Sequence, residues 1–108
     1  MYKLLLLALA TAFMLNSCGP DSKELIVGKW KEIETGSSVT EYKADGTYFV
    51  NYDDGTTEEG KYRVDGVTLY TTEKGESEEL SSELTTLDDE NMVENVGGMF
   101  ETKYKRMK

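Results

Sequence analysis

Beyond residue 25 apolar and polar residues alternate in short runs, and a turn signal ends each run. The signals are Gly36-Ser37-Ser38, Asp45-Gly46, Asp54-Gly55, Asp65-Gly66, Lys74-Gly75, Asp88-Asp89-Glu90-Asn91 and Gly97-Gly98. Seven turns separate eight segments rich in Val, Thr, Tyr and Phe: "GKWKEIET", "SVTEYKA", "GTYFVNYD", "TEEGKYRV", "VTLYTTE", "EELSSELTTL", "MVENV" and "FETKYKR". Such side chains suit a pleated, half-buried surface, so each segment is predicted to be a strand. Alternation shows in the pairs Tyr62 and Val64, Val67 and Leu69, Leu80 and Leu84, and in Phe100, Tyr104 and Arg106. Tyr48-Phe49-Val50 puts bulk on both faces, and Leu87 falls out of step with Leu84, which predicts a bulge or early turn there. Asp-Gly between such runs predicts tight type I′ hairpins. Only "DSKELIV", with an acid and Ser22 ahead of an apolar pair, predicts a helical turn before the first strand.

The fold class is therefore all-β: eight short antiparallel strands in an up-and-down meander. Such a meander closes into a barrel or stacks as two layers. Closure is expected, because it removes the unpaired edges that invite aggregation. At about eight strands the interior is filled by side chains or holds one small ligand.

The first residues follow different rules. One positive charge, at Lys3, precedes an apolar run from Leu4 to Leu15 broken only by Thr11, the pattern of an export signal. A spanning helix needs roughly 20 apolar residues, so this run is too short to remain as an anchor. Leu15-Asn16-Ser17-Cys18 resembles the lipobox of bacterial lipoproteins, with Asn16 a slight departure. The resemblance implies that the leader, residues 1–17, is cut away and that the Cys18 thiol and amine are acylated. Cys18 is the only cysteine, and an unpaired thiol in an oxidising compartment is a liability, which favours lipidation over a plain secretory leader. Residues 18–24 read as a lipidated tether and 25–108 as one barrel domain. Gly19, not aspartate, follows the cysteine, so the expected address is the outer membrane of a Gram-negative cell.

Removing the leader, which holds one lysine and no acid, takes the net charge from −9 to −10. That balance argues against nucleic acid and against a peripheral grip on anionic lipid. The chain has no histidine, which removes the commonest zinc ligand and general base. No metal and no cofactor are expected.

Gly28-Lys29-Trp30 resembles the Gly-x-Trp opening of the lipocalins. "EYKADGTY", "GKYRVDGVTL" and "TKYKR" resemble the lipocalin-like domains of small bacterial lipoproteins. The resemblance implies that Trp30 packs at the closed end of the barrel beneath Arg106, with a cation–π contact worth about 0.5–2 kcal/mol. Full lipocalins are longer, so the shorter strands here enclose less space, and a filled barrel is a serious alternative to a deep cavity.

Candidate chemistry is sparse. With no histidine and the only thiol used for lipid, no serine has an evident activator, and no catalytic residue is assigned. Carboxylate pairs at Asp53-Asp54, Glu58-Glu59, Glu78-Glu79 and Asp88-Asp89-Glu90 nearly all fall in predicted turns or on solvent faces, where they make poor general acids. "DDGTTEE" lacks the spacing of an EF-hand loop. Two function classes stand. One is a binding module for a small amphipathic or apolar molecule, with Tyr42, Tyr62 and Leu69 as candidate lining. The other is an interaction or inhibitor module that meets a basic protein through the acidic stretch from Glu73 to Glu94. A monomer is expected in either case.

Overall fold

The computed structural model describes residues 21–108; the leader, the lipobox with Cys18 and the start of the tether lie outside the described residues. Helix α1 (Ser22–Leu25) is one turn long, and the Asp21 carboxylate caps it by accepting from the backbone N–H groups of Lys23 and Glu24. Part of the segment expected to be tether is thus folded. Eight strands follow: β1 (Gly28–Glu32), β2 (Ser38–Tyr42), β3 (Thr47–Tyr52), β4 (Thr57–Asp65), β5 (Thr68–Glu73), β6 (Leu80–Leu87), β7 (Asn91–Val96) and β8 (Phe100–Arg106). Each pairs antiparallel with the next, and β8 returns to β1 with Trp30 opposite Arg106 and Glu32 opposite Tyr104. The barrel is closed, so no strand keeps an unpaired edge.

The alternation works as read, with a few informative exceptions. Trp30, Thr40, Tyr42, Tyr48, Val50, Val64, Leu69, Leu84 and Met92 are buried. Tyr48 and Val50 point inward, and Phe49, between them, takes the outer face. Leu84 and Leu87 both face in because the register shifts between Leu84 and Thr86, where Thr85 is the extra residue of a bulge. Val67 departs from the expected alternation with Leu69: it lies in the β4–β5 turn and is exposed. Leu80 and Phe100 hold lumen-facing register positions, yet both stand exposed at the barrel's rim.

Two hairpins also differ from the type I′ expectation. At Asp45-Gly46 the bonded turn is closed by Gly46 N–H donating to the Lys43 carbonyl, and at Asp54-Gly55 by Gly55 N–H donating to the Tyr52 carbonyl. The aspartate is therefore inside the turn and only the glycine follows it with positive φ, +89° in both, the geometry of a longer hairpin loop with a glycine bulge. A threonine explains the preference. Asp45 accepts from Thr47 N–H and Oγ1, and Asp54 accepts from Thr56 N–H and Oγ1, so the repeated Asp-Gly-Thr closes each loop through the aspartate side chain.

One end of the barrel carries α1 and the turns after β2, β4 and β6, and there the apolar core concentrates. Trp30 is fully buried and donates through Nε1 to the Ile26 carbonyl at 2.8 Å, which ties the chain leaving α1 across the barrel floor. Trp30→Ala is expected to cost about 3–5 kcal/mol, as for other fully buried aromatics. Urea unfolding followed by circular dichroism measures this, and a loss under about 1 kcal/mol would contradict the packing described.

Candidate functional site

The closed end is built around Arg106. Its guanidinium carbon lies 4.3 Å from the centre of the Trp30 ring. Its Nε donates to the Asp89 carbonyl at 2.7 Å, Nη1 to the Val27 carbonyl at 2.8 Å, and Nη2 to the Leu25 carbonyl. Gly28 stands beside it, and a side chain at that position would occupy the place of the Arg106 fork. Gly28, Trp30 and Arg106 therefore form one closure in which every group already has a protein partner. It holds the fold and offers nothing to a ligand.

The opposite end is chemically different. It is ringed by the turns after β1, β3, β5 and β7 and lined by the lumen-facing positions of the strand ends nearby. Glu58 accepts from the Tyr48 hydroxyl at 2.9 Å and the Tyr52 hydroxyl at 3.1 Å. Glu94 accepts from the Tyr104 hydroxyl at 3.3 Å and from Ser82 Oγ. Glu32, only 8 % exposed, accepts from Thr35 Oγ1 and from the N–H groups of Glu34 and Thr35. The Thr35 hydroxyl, ahead of the backbone donors, holds its carboxyl below the usual range despite the cover. Burial pushes the phenols of Tyr42, Tyr48 and Tyr104 well up, and neighbouring glutamates add to the shift: Glu94 for Tyr42 and Tyr104, Glu58 for Tyr48. Tyr48 and Tyr104 thus stay neutral and donate to Glu58 and Glu94.

The candidate lining residues sit lower than this mouth. Leu69 is 1 % exposed in the packed core, opposite Val64. Tyr62 stacks edge-on against Tyr42, ring centres 5.0 Å apart, and its hydroxyl donates to the Lys43 carbonyl at 2.7 Å, in the turn at the closed end. Tyr42 lies between the two regions, buried, its ring packed between those of Tyr62 and Tyr48. Glu32, Glu94, Tyr48, Tyr52 and Tyr104, none of them expected as lining, complete the mouth with Glu58, which was expected in a turn or on a solvent face but shares the inward face of β4 with Tyr62 and Val64. Parity carried the signal, since Trp30 and Glu32, or Glu58, Tyr62 and Val64, fall on one side of a strand. Gly60 belongs with them, because a side chain there would collide with Tyr48, which lies across it from β3.

Two concavities open at the barrel wall, one across β3–β5 and one beside α1 at the closed end. One, of about 560 Å³, spans β3, β4 and β5 around Phe49, Lys61 and Thr72; the other, of about 410 Å³, lies between Lys23 of α1 and Val64 of β4. Among the described residues no group of acids is arranged to hold a metal ion, and no helix is long and apolar enough to cross a membrane.

A solved structure shares this architecture. A lipocalin-like protein from Bacteroides uniformis superposes with a TM-score of 0.58, covering 77 % of this chain and 98 % of that chain at 16 % identity. The fold is a lipocalin-like barrel. At that identity the likeness speaks for the fold alone. No protein-family profile and no curated protein sequence matches the chain. The lipocalin-like barrel described here has a closed end that is finished and a polar, tyrosine-rich mouth that is not.

The raised phenols give the barrel a pH signature. A tyrosine whose folded pKa lies above its ordinary value of 10.0 contributes stability that is whole below pH 10 and is lost as pH climbs toward the folded value. Stability is expected to hold up to about pH 10 and fall steeply above it, with tyrosinate absorbance near 295 nm rising together with the loss of barrel structure. Complete tyrosine ionisation in a barrel that remains folded would contradict this.

Proposed function

We propose that the protein is a lipid-anchored lipoprotein of the cell envelope, in the outer membrane, whose lipocalin-like barrel is a non-catalytic binding module for a small amphipathic molecule taken at its open end. The observation that carries this reading is the two-sided mouth. Leu80, Val96 and Phe100 occupy lumen-facing positions at the rim of β6, β7 and β8 and are exposed, while Glu58, Tyr48 and Tyr52 line the wall made by β3 and β4. Apolar and polar surfaces thus face one another across one opening, as in sites that orient an amphipathic guest.

The lipid anchor rests on the lipobox resemblance at Cys18. Its position suits the barrel's polarity. Asp21 caps α1 at the closed end, and the two residues between it and Cys18 span at most about 10 Å. An acyl anchor on Cys18 would hold the closed end toward the membrane and leave the mouth facing away. The competing reading, a basic protein bound through the stretch from Glu73 to Glu94, draws less support, because that stretch does not form one face. Glu94 lines the lumen, and Glu79 is engaged by Arg63 through a two-pronged contact at 3.0 Å.

Two measurements test the proposal. The intact mass of the protein isolated from membranes is expected to equal residues 18–108 plus acyl chains, and Cys18→Ala is expected to release the protein into the soluble fraction. A variant that stays membrane-bound would place the anchor elsewhere. Native mass spectrometry is expected to show a single chain with a retained small molecule. A barrel that is empty and captures basic proteins in a salt-sensitive way would favour the competing reading.

A further inference from the structure

The mouth has a sign of charge as well as an apolar lip. Along the strands, Lys29, Lys31, Lys61, Arg63, Lys103 and Lys105 all take outward positions and are exposed. Arg106 alone faces in, and its donors are taken up by the carbonyls of the closed end. Glu32, Glu58, Glu73 and Glu94 face in, in register with the inward Tyr104, Val50, Gly60 and Leu84. Among the described residues, the lumen therefore holds carboxylates with no cation beside them. A carboxylate has room for about four hydrogen bonds, and Glu58 and Glu94 each accept two.

A second observation comes from Tyr42. Its side chain is 5 % exposed, and among the described residues its hydroxyl has no hydrogen-bond partner, whereas Tyr48, Tyr52, Tyr62 and Tyr104 each donate to an oxygen. Buried polar groups normally have a partner, from protein, water or ligand. Tyr42 faces the lumen with its ring centre 6.4 Å from that of Tyr48, whose hydroxyl donates to Glu58, so it stands beside the acidic part of the lumen. An organic cation suits this place because Leu80, Val96 and Phe100 stand exposed at the same rim and can take an apolar tail.

We propose that the open end takes a small organic cation with an apolar tail, its ammonium or amidinium head among Glu58, Glu94 and Tyr42 and its tail against Leu80, Val96 and Phe100. This rests on the reading of the mouth as a binding site and adds the charge of the guest. A carboxylate or phosphate guest would meet only like charge there, and a neutral guest would leave the carboxylates with fewer donors.

The test uses matched probes that differ only in head group, each with a phenylethyl or an octyl tail: ammonium, alcohol and carboxylate. The protein expressed from the full chain is reconstituted in lipid nanodiscs, and binding is measured by calorimetry against empty discs. The ammonium probes are expected to bind about tenfold or more tightly than either partner, in keeping with charge-assisted hydrogen bonds. Glu58→Gln and Glu94→Gln are each expected to weaken them about fivefold or more, whereas the outward Glu83→Gln leaves them unchanged. Tyr42→Phe is expected to weaken binding while Tm stays equal or rises, because it removes a buried hydroxyl that has no partner. Alcohols that bind as well as ammonium probes would overturn the inference and leave the binding reading standing. Ammonium binding that falls equally with Glu83→Gln would be surface attraction and would also overturn it. If no probe of either tail binds, both the inference and the reading beneath it fail.

Discussion

A single guanidinium closes this barrel, and the asymmetry of the molecule follows from it. Arg106 ends β8, and it reaches from there to the floor of the fold: to Leu25 and Val27 on the incoming chain, to Asp89 in the β6–β7 turn, and to the ring of Trp30 on β1. An arginine fork has donors in a fixed plane, so it can satisfy several carbonyls only where they already converge. Convergence requires β8 to lie against β1 in the register that sets Arg106 opposite Trp30. The contact therefore reports on closure, on register and on the seating of α1 together. It also places most of the apolar core at one end, since Trp30, Ile26, Leu69 and Met92 are the most deeply buried side chains and cluster on that floor.

The other end can then be polar without loss of the fold, and the way it is polar is specific. Inward-pointing charges are a known device for keeping strand edges from pairing with other chains. A closed barrel has no such edges, so edge protection does not explain Glu58 and Glu94. What keeps them tolerable is the tyrosine set. Tyr48 and Tyr52 donate to Glu58, and Tyr104 donates to Glu94, so carboxylates turned inward keep hydrogen-bond donors. Tyr42 is the one member of that set for which the protein supplies no acceptor or donor among the described residues.

The strand plan was legible because turn residues punctuate the chain so regularly that all eight segments and their order could be read directly. The helical turn at Ser22–Leu25 and the bulge after Leu84 were visible for similar reasons: a capping acid in one case, a break of alternation in the other. The Gly28, Trp30 and Arg106 cluster came from resemblance; in the barrel the Arg106 guanidinium stacks on Trp30 and fills the space beside Gly28. The mouth was not legible. In a chain with 21 acidic residues, Glu32, Glu58 and Glu94 look like ordinary surface charge, and only strand parity separates them from Glu41 or Glu83. Parity gives the face but not the height. Height depends on the slant of the strands: Tyr42 is opposite Gly28 on one side and Tyr48 on the other, and Tyr48 is opposite Gly60. Such a stagger accumulates around the barrel, which is why Leu69 and Tyr62, plausible as lining residues by face, lie at the closed half.

Short strands sharpen this division of labour. With five to nine residues per strand, each strand offers only a few inward positions, enough for about two layers of side chains. One layer must be densely apolar for a domain of this size, with no disulfide open to it, to stay folded. That layer is the Trp30 floor. The remaining layer is released from the demand of stability, and it is there that carboxylates, phenols and an exposed apolar lip are brought together by Glu58, Tyr48, Leu80 and Phe100. A deeper barrel could bury a ligand and its own core in separate storeys. In this one any guest must rest on top of the core, so its polar head and apolar tail are both read at the rim.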